Sequence, residues 1–368
     1  MRFKIKFILF MSFLSLHKAL PVWFIVHGVG HDIERYLPSG SFYETFQETV
    51  GKEKVETHTW HTKEFIKNTG EIILNEISSL EDQTSEAVII AISAIQEAIK
   101  DTVQDELTGA KMIQRIMGAY ALAIRTVDAI AEGDNVNYVC TSFGGHVGYG
   151  ATQLLSDIHT TDDIITPESV IAIFTPIIKL MQGQPTVKKI SRKLLGIPKN
   201  CCNWCSALSA CCAERLFNYH DALEKNFKDE VAVWAVCHQL VSKYKNERLG
   251  NGNIKIDRIA TIATPAVRGA FMPNDEIIGE IRCLYSKGDL IAMGVGSQRT
   301  PKQINIRMKI SETGHCNCDN PTHTELCGNP NVARLIPALF QYNTPGKITL
   351  SDSGHFVFEP SRSRCILL

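Results

Sequence analysis

Ser142 stands between the short apolar run Asn137-Tyr138-Val139-Cys140 and a helical pattern from Val147 to Leu155, with Phe143-Gly144-Gly145 filling the turn. Two glycines leave room for a turn so sharp that the serine side chain projects from the edge of a sheet, which suits a nucleophile. The helix that starts there aims its free amides and the positive end of its dipole at the same spot, so the Phe143 amide is one candidate oxyanion donor. A second donor needs a separate loop. His27-Gly28-Val29, at the end of the run Val22 to Val26, offers the Val29 amide, with His27 and Gly28 beside the substrate.

A serine nucleophile needs a base and an acid to orient that base. Asp289 follows the run Ile281 to Tyr285 in Ser286-Lys287-Gly288-Asp289, and His315, His323 and His355 lie downstream. The base belongs on the loop between the last parallel strand and the final helix. His323-Thr324-Glu325-Leu326 leads through Asn329-Pro330 into the helical pattern Val332 to Phe340, which makes His323 the preferred base. His315 abuts the preceding strand and is the alternative. His355 lies beyond that helix, next to a terminal hairpin suggested by Lys347-Ile348-Thr349-Leu350, and reads as structural.

The same loop carries Cys316, Cys318, His323 and Cys327, a set with zinc-like spacing that reads equally as cysteines for a disulfide or as chance clustering. Zinc on His323 would hand the role of base to His315. Serine acyl transfer itself calls for no metal and no cofactor.

These residues sit in a chain of 368 residues, long enough for one large or two ordinary domains. Hydrophobic residues make up 44%, and 38 basic residues face 39 acidic ones, which excludes a disordered chain and a generally basic nucleic-acid binder. Nothing in the charge points to an obligate protein partner. Arg2, Lys4 and Lys6 precede the apolar run Phe7 to Leu16, with Ala19 as a small residue before cleavage, so residues 1–19 read as a signal peptide of an exported protein.

Short apolar runs followed by helical patterns predict an α/β protein with a mostly parallel central sheet and helices on both faces. Residues 20–150 form the first part of its core and 251–345 the second, with 346–368 as a C-terminal tail. Between 151 and 250 strand signals thin out, helical patterns dominate and four prolines interrupt, which predicts an inserted helical cap. Within it Cys201, Trp204, Cys205, Leu208, Cys211 and Cys212 share one helical face. That stripe is ordinary packing or, with Trp204 in it, the wall of an acyl pocket and a peripheral contact with a lipid surface. Cys365-Ile366-Leu367-Leu368 fits a prenylation signal, which operates in a eukaryotic cytosol and so conflicts with export.

Taken together, Val26-His27-Gly28-Val29-Gly30, Ser142-Phe143-Gly144-Gly145, Ala263-Thr264-Pro265, Tyr285-Ser286-Lys287-Gly288-Asp289 and a histidine before a final helix resemble the α/β-hydrolase superfamily, lipase and esterase type. The resemblance is to small bacterial triacylglycerol lipases and covers the core, not the cap. It implies the α/β-hydrolase fold, a triad in the order Ser142, Asp289, His323, and hydrolysis of lipid or small carboxylic esters through an acyl-enzyme. The family's G-x-S-x-G elbow has Cys140 in place of its first glycine here, a larger side chain expected to crowd the turn. An impaired elbow would leave a lipid-binding or scaffolding protein on the same fold, the alternative from a different class.

Overall fold

The computed structural model describes residues 21–28, 33–80, 84–104, 112–156, 229–250, 252–264, 271, 273–289, 300–310, 320–351 and 354–361. Eight strands form one mixed sheet: β1 (Pro21–Val26), β2 (Lys54–His58), β3 (Asn135–Thr141), β4 (Ile256–Ile262), β5 (Ile278–Tyr285), β6 (Gln303–Ile310), β7 (Gly346–Leu350) and β8 (Phe356–Pro360). Their order across the sheet is β2-β1-β3-β4-β5-β6-β7-β8, and every pair is parallel except β7 with β8.

Alternation along the central strands explains why both faces are covered. In β1, Val22, Phe24 and Val26 point into one core while Trp23 and Ile25 point into the other; in β3, Tyr138 and Cys140 join the first and Val139 the second. The first core receives α2 (Lys63–Ile77), α3 (Glu86–Gln104), α4 (Met112–Ala131) and α5 (Gly144–Leu155), together with α6 over residues 229–249. The second receives α1 (Ser41–Val50) and α8 (Pro330–Leu339), with α7 (His323–Leu326) at its edge.

Two segments play larger parts in the sheet and core than their sequence suggested. Residues 229–249, assigned to the cap, form α6, and its Val233, Val236, Cys237 and Val241 are buried in the same core as β1 and β3. A uniformly apolar helix face is what a sheet needs as cover, and it carries no signal that separates core from cap. The Cys201–Cys212 stripe with Trp204, like the rest of 157–228, lies outside the described residues. Residues 346–360 of the expected tail supply β7, parallel to β6, and β8, antiparallel to β7.

Arg282 ties the last helix to the sheet. Its Nε donates to the carbonyls of Leu339, the last helical residue, and of Tyr342 just beyond it, at 3.2 and 3.0 Å.

The expected crowding by Cys140 does not arise at the turn. The Cys140 side chain faces α5, where Gly148 leaves room for it: a Cβ on Gly148 would lie 2.5 Å from the thiol sulfur. Gly148→Ala gains helix propensity but overpacks this contact, and should lower unfolding stability by about 1–3 kcal/mol in urea titrations. Adding Cys140→Ala should recover most of that loss. Additive costs for the two substitutions would contradict the contact.

Candidate active site

β3 ends at Thr141, and the chain reverses direction within one residue. Ser142 takes φ 50°, a left-handed conformation unusual for a residue with a side chain. Its amide donates to the Ile262 carbonyl of β4 at 2.8 Å, so the turn is still pinned to the sheet. The helix that follows can start this close only because its first residues are glycines. A Cβ on Gly144 would lie 2.1 Å from the Val26 carbonyl oxygen, and one on Gly145 would lie 2.1 Å from the Thr264 hydroxyl.

The partners arrive on loops at the same end of the sheet. Asp289 follows β5 and is buried; His323 opens α7 after β6. Ser142 Oγ lies 2.9 Å from His323 Nε2, and His323 Nδ1 lies 2.8 Å from Asp289 Oδ2. A carboxylate only accepts, so Nδ1 carries the proton given to Asp289 and Nε2 is left to accept from the serine hydroxyl. The loops brace each other. Gly288 passes close to the Asn320 and Pro321 carbonyls, and Arg307 of β6 donates from Nη2 to Asn320 Oδ1 at 2.6 Å. Glu325 accepts from the Thr322 amide and hydroxyl at 2.7 and 2.9 Å, which fixes the start of α7 and with it the His323 backbone.

Of the other residues singled out from sequence, Phe143 has φ −62° and ψ −17° at the N-cap of α5, among the amides that a helix start leaves without internal partners. Gly28 packs against Ser142, since a Cβ there would lie 2.5 Å from Ser142 Cβ, and its amide donates to Thr141 Oγ1 at 3.0 Å. His27 is fully buried, so it supports the loop from behind instead of facing a substrate. Its carbonyl accepts from Trp60 Nε1 at 2.6 Å, and its ring sits between Tyr36 and His61. His355 lies at the β7–β8 connection, where its amide donates to Ser351 Oγ. Val29, His315, Cys316, Cys318 and Cys365 lie outside the described residues.

Cys327 lies on the serine side of the imidazole, with Sγ 3.8 Å from His323 Nε2. Burial, aided by the charge on Asp289, pushes its thiol pKa far up, so it stays a neutral thiol there. Nε2 is the atom that faces Ser142, so a metal on that nitrogen would compete directly with the serine. Among the described residues no group of three or more His, Cys, Asp or Glu side chains is placed to hold a metal ion.

Sequence reasoning missed what lies behind the turn. Arg115 of α4 is fully buried, and its Nη1 lies 2.6 Å from His146 Nδ1 on α5. Burial pulls its pKa down to about 10 against the opposing charge of Glu230 on α6. Burial likewise pushes Glu230 up to about 8 despite Arg115. An isolated arginine in a helical pattern reads as solvent-exposed, and only the three-dimensional packing of α4, α5 and α6 reveals it as buried.

Comparison with protein-family models, with curated proteins and with solved structures found no match for the chain. The site therefore stands on its own geometry. Chemically, the arrangement can draw a proton from the Ser142 hydroxyl, hold the resulting imidazolium against a buried carboxylate, and leave a nucleophilic oxygen beside a helix N-terminus.

Three buried histidines beside the site make its surroundings acid-sensitive. Burial lowers His27 and His58 to about 3 and His61 to about 4; His61 adds to the effect on His27, and Arg125 to that on His58. The unfolded chain therefore binds more protons than the folded one between about pH 6.5 and these values. Below pH 6.5 each histidine should lower stability by up to about 1.4 kcal/mol per pH unit, while Glu230, raised to about 8, works the other way between about pH 8 and 4.5 and offsets one such slope, so that the net change is a fall below pH 6.5. Urea midpoints measured from pH 7.5 to 4.5 test this, with a shallower fall expected for His58→Asn. Midpoints that stay flat down to pH 5 would contradict the buried neutral histidines.

Proposed function

We propose that the protein is a serine hydrolase on an α/β-hydrolase fold that cleaves carboxylic esters, with lipid esters as its substrate class. The observation that carries this reading is the continuous run of contacts from Ser142 Oγ to His323 to Asp289, delivered by three separate chain segments at one end of a mostly parallel sheet. Chain order Ser, Asp, His and the strand–serine–helix turn agree with that fold.

In the proposed reaction Ser142 Oγ attacks the acyl carbonyl carbon while its proton passes to His323 Nε2. Asp289 holds Nδ1–H, so the imidazole stays in the tautomer that can accept and the imidazolium is stabilised once formed. The Phe143 and Val29 amides receive the carbonyl oxygen as it becomes an oxyanion, each donor contributing roughly 2.7–4 kcal/mol in comparable chemistry. Collapse expels the alcohol, which takes the proton from His323. Water, activated by the same nitrogen, then releases the acid and restores Ser142. On this reading the cap that the sequence predicts within residues 151–250 serves to cover the acyl chain, with Trp204 in its wall, and the signal peptide expected at residues 1–19 directs export toward an envelope or extracellular lipid.

Turnover of p-nitrophenyl esters of increasing chain length tests the reading. His323→Ala should lower kcat by about 10⁴-fold or more, and Asp289→Asn by about 10²–10⁴-fold. Each added methylene should raise kcat/KM by about fourfold until the pocket is full, the equivalent of about 0.8 kcal/mol. Unchanged turnover in His323→Ala would remove the mechanism. A preference for acetyl over octanoyl esters would remove the lipid substrate and leave a small-ester esterase, and binding of esters without turnover would favour the scaffolding alternative.

A further inference from the structure

We infer that Arg115 is a positioning residue for the oxyanion side of the site, acting through Phe143 and His146 on the first turn of α5. The inference rests on the serine-hydrolase reading and adds a residue from α4 to it.

Three contacts close into a triangle behind the nucleophile. The Arg115 Nη1 lies 2.6 Å from His146 Nδ1, and because a guanidinium has only donors, that nitrogen must be the acceptor. The guanidinium carbon lies 5.3 Å from the centre of the Phe143 ring, within the range of a cation held over an aromatic face. The Phe143 and His146 rings meet edge to face at 5.4 Å and 89°. Between them the backbone closes as well, with the His146 amide donating to the Phe143 carbonyl at 3.0 Å.

Phe143 directly follows Ser142, and its amide is one of the two oxyanion donors of the proposed reaction. Clamping its ring therefore fixes the direction of that amide. Arginine suits the task because its planar head covers a ring with its face while an edge nitrogen donates to the imidazole; a lysine ammonium cannot do both. Stability alone gives little reason for the residue. Glu230 on α6 opposes the charge, yet a buried charge pair commonly serves stability no better than apolar side chains of similar volume. The charge is instead spent at the one turn where a displacement of about 1 Å in a donor costs about 100-fold in rate.

The test is a kinetic cycle on the full chain with Arg115→Met, Arg115→Lys, Phe143→Leu and the Arg115→Met/Phe143→Leu double variant. kcat and KM are taken per active site, counted by titration with a fluorophosphonate. Arg115→Met should lower kcat about tenfold or more with KM within about twofold, since an oxyanion donor acts in the transition state. Arg115→Lys should show a similar loss although it keeps the charge. The double variant should be no slower than the slower single, because both substitutions release the same amide. Wild-type kcat in either Arg115 variant, or losses that multiply in the double, would overturn the inference. If Arg115→Met does not fold, Arg115→Lys alone decides it by the same criterion. Failure of the wild-type protein to react with the fluorophosphonate would refute the hydrolase reading and this inference with it, whereas a reactive wild type with unaffected variants refutes only the inference.

Discussion

A single residue in a left-handed conformation governs the geometry of this molecule. Ser142 at φ 50° turns the chain from β3 into α5 without a connecting loop, and its side chain is thereby held at the carboxyl end of the central strand. Such a conformation persists only where the surroundings over-determine it. Here the hydrogen bond from its amide to the Ile262 carbonyl, the two glycines at the start of α5 and the space that Gly148 leaves for Cys140 do so together. β3 itself is locked between β1 and β4, so any movement of the serine would have to carry the middle of the sheet with it.

The rest of the site is arranged so that this fixed hydroxyl finds a base whose own orientation is not free. Asp289 is buried, and a buried carboxylate is tolerable only with partners, of which His323 Nδ1 is one. The contact that satisfies the carboxylate therefore also sets the imidazole tautomer. Arg307, Asn320 and the Thr322–Glu325 pair hold the loop from the side of β6, and Arg282 holds the end of α8. Each segment is anchored to a neighbouring strand or loop, which keeps the three in register.

Several of these features can be read from residue order alone, and the reasons differ. The runs Val22 to Val26 and Asn137 to Cys140 announce buried strands because a parallel strand covered on both faces has no polar alternation to hide it. His323 stands out from His315 and His355 through its lead into Asn329-Pro330, where asparagine caps α8 and proline takes its first position. By contrast, residues 229–249 look like cap because an apolar helix is equally at home over a sheet or over a ligand. His27 looks like a substrate contact because it stands on the loop expected to supply an oxyanion donor, yet its ring is buried against Tyr36 and His61. The Arg115–His146 pair has no signature at all, since its members are separated by a strand and meet only through packing of α4 on α5.

The central claim is that the Ser142 oxygen is a nucleophile made reactive by His323. Its most direct measurement is peptide mapping by mass spectrometry after the full chain has reacted with a fluorophosphonate, in parallel with His323→Ala. The account predicts one adduct per chain, carried by the peptide that contains Ser142, formed rapidly in the wild-type protein and far more slowly in the variant. An adduct on another residue, or equal rates in the two proteins, would contradict it.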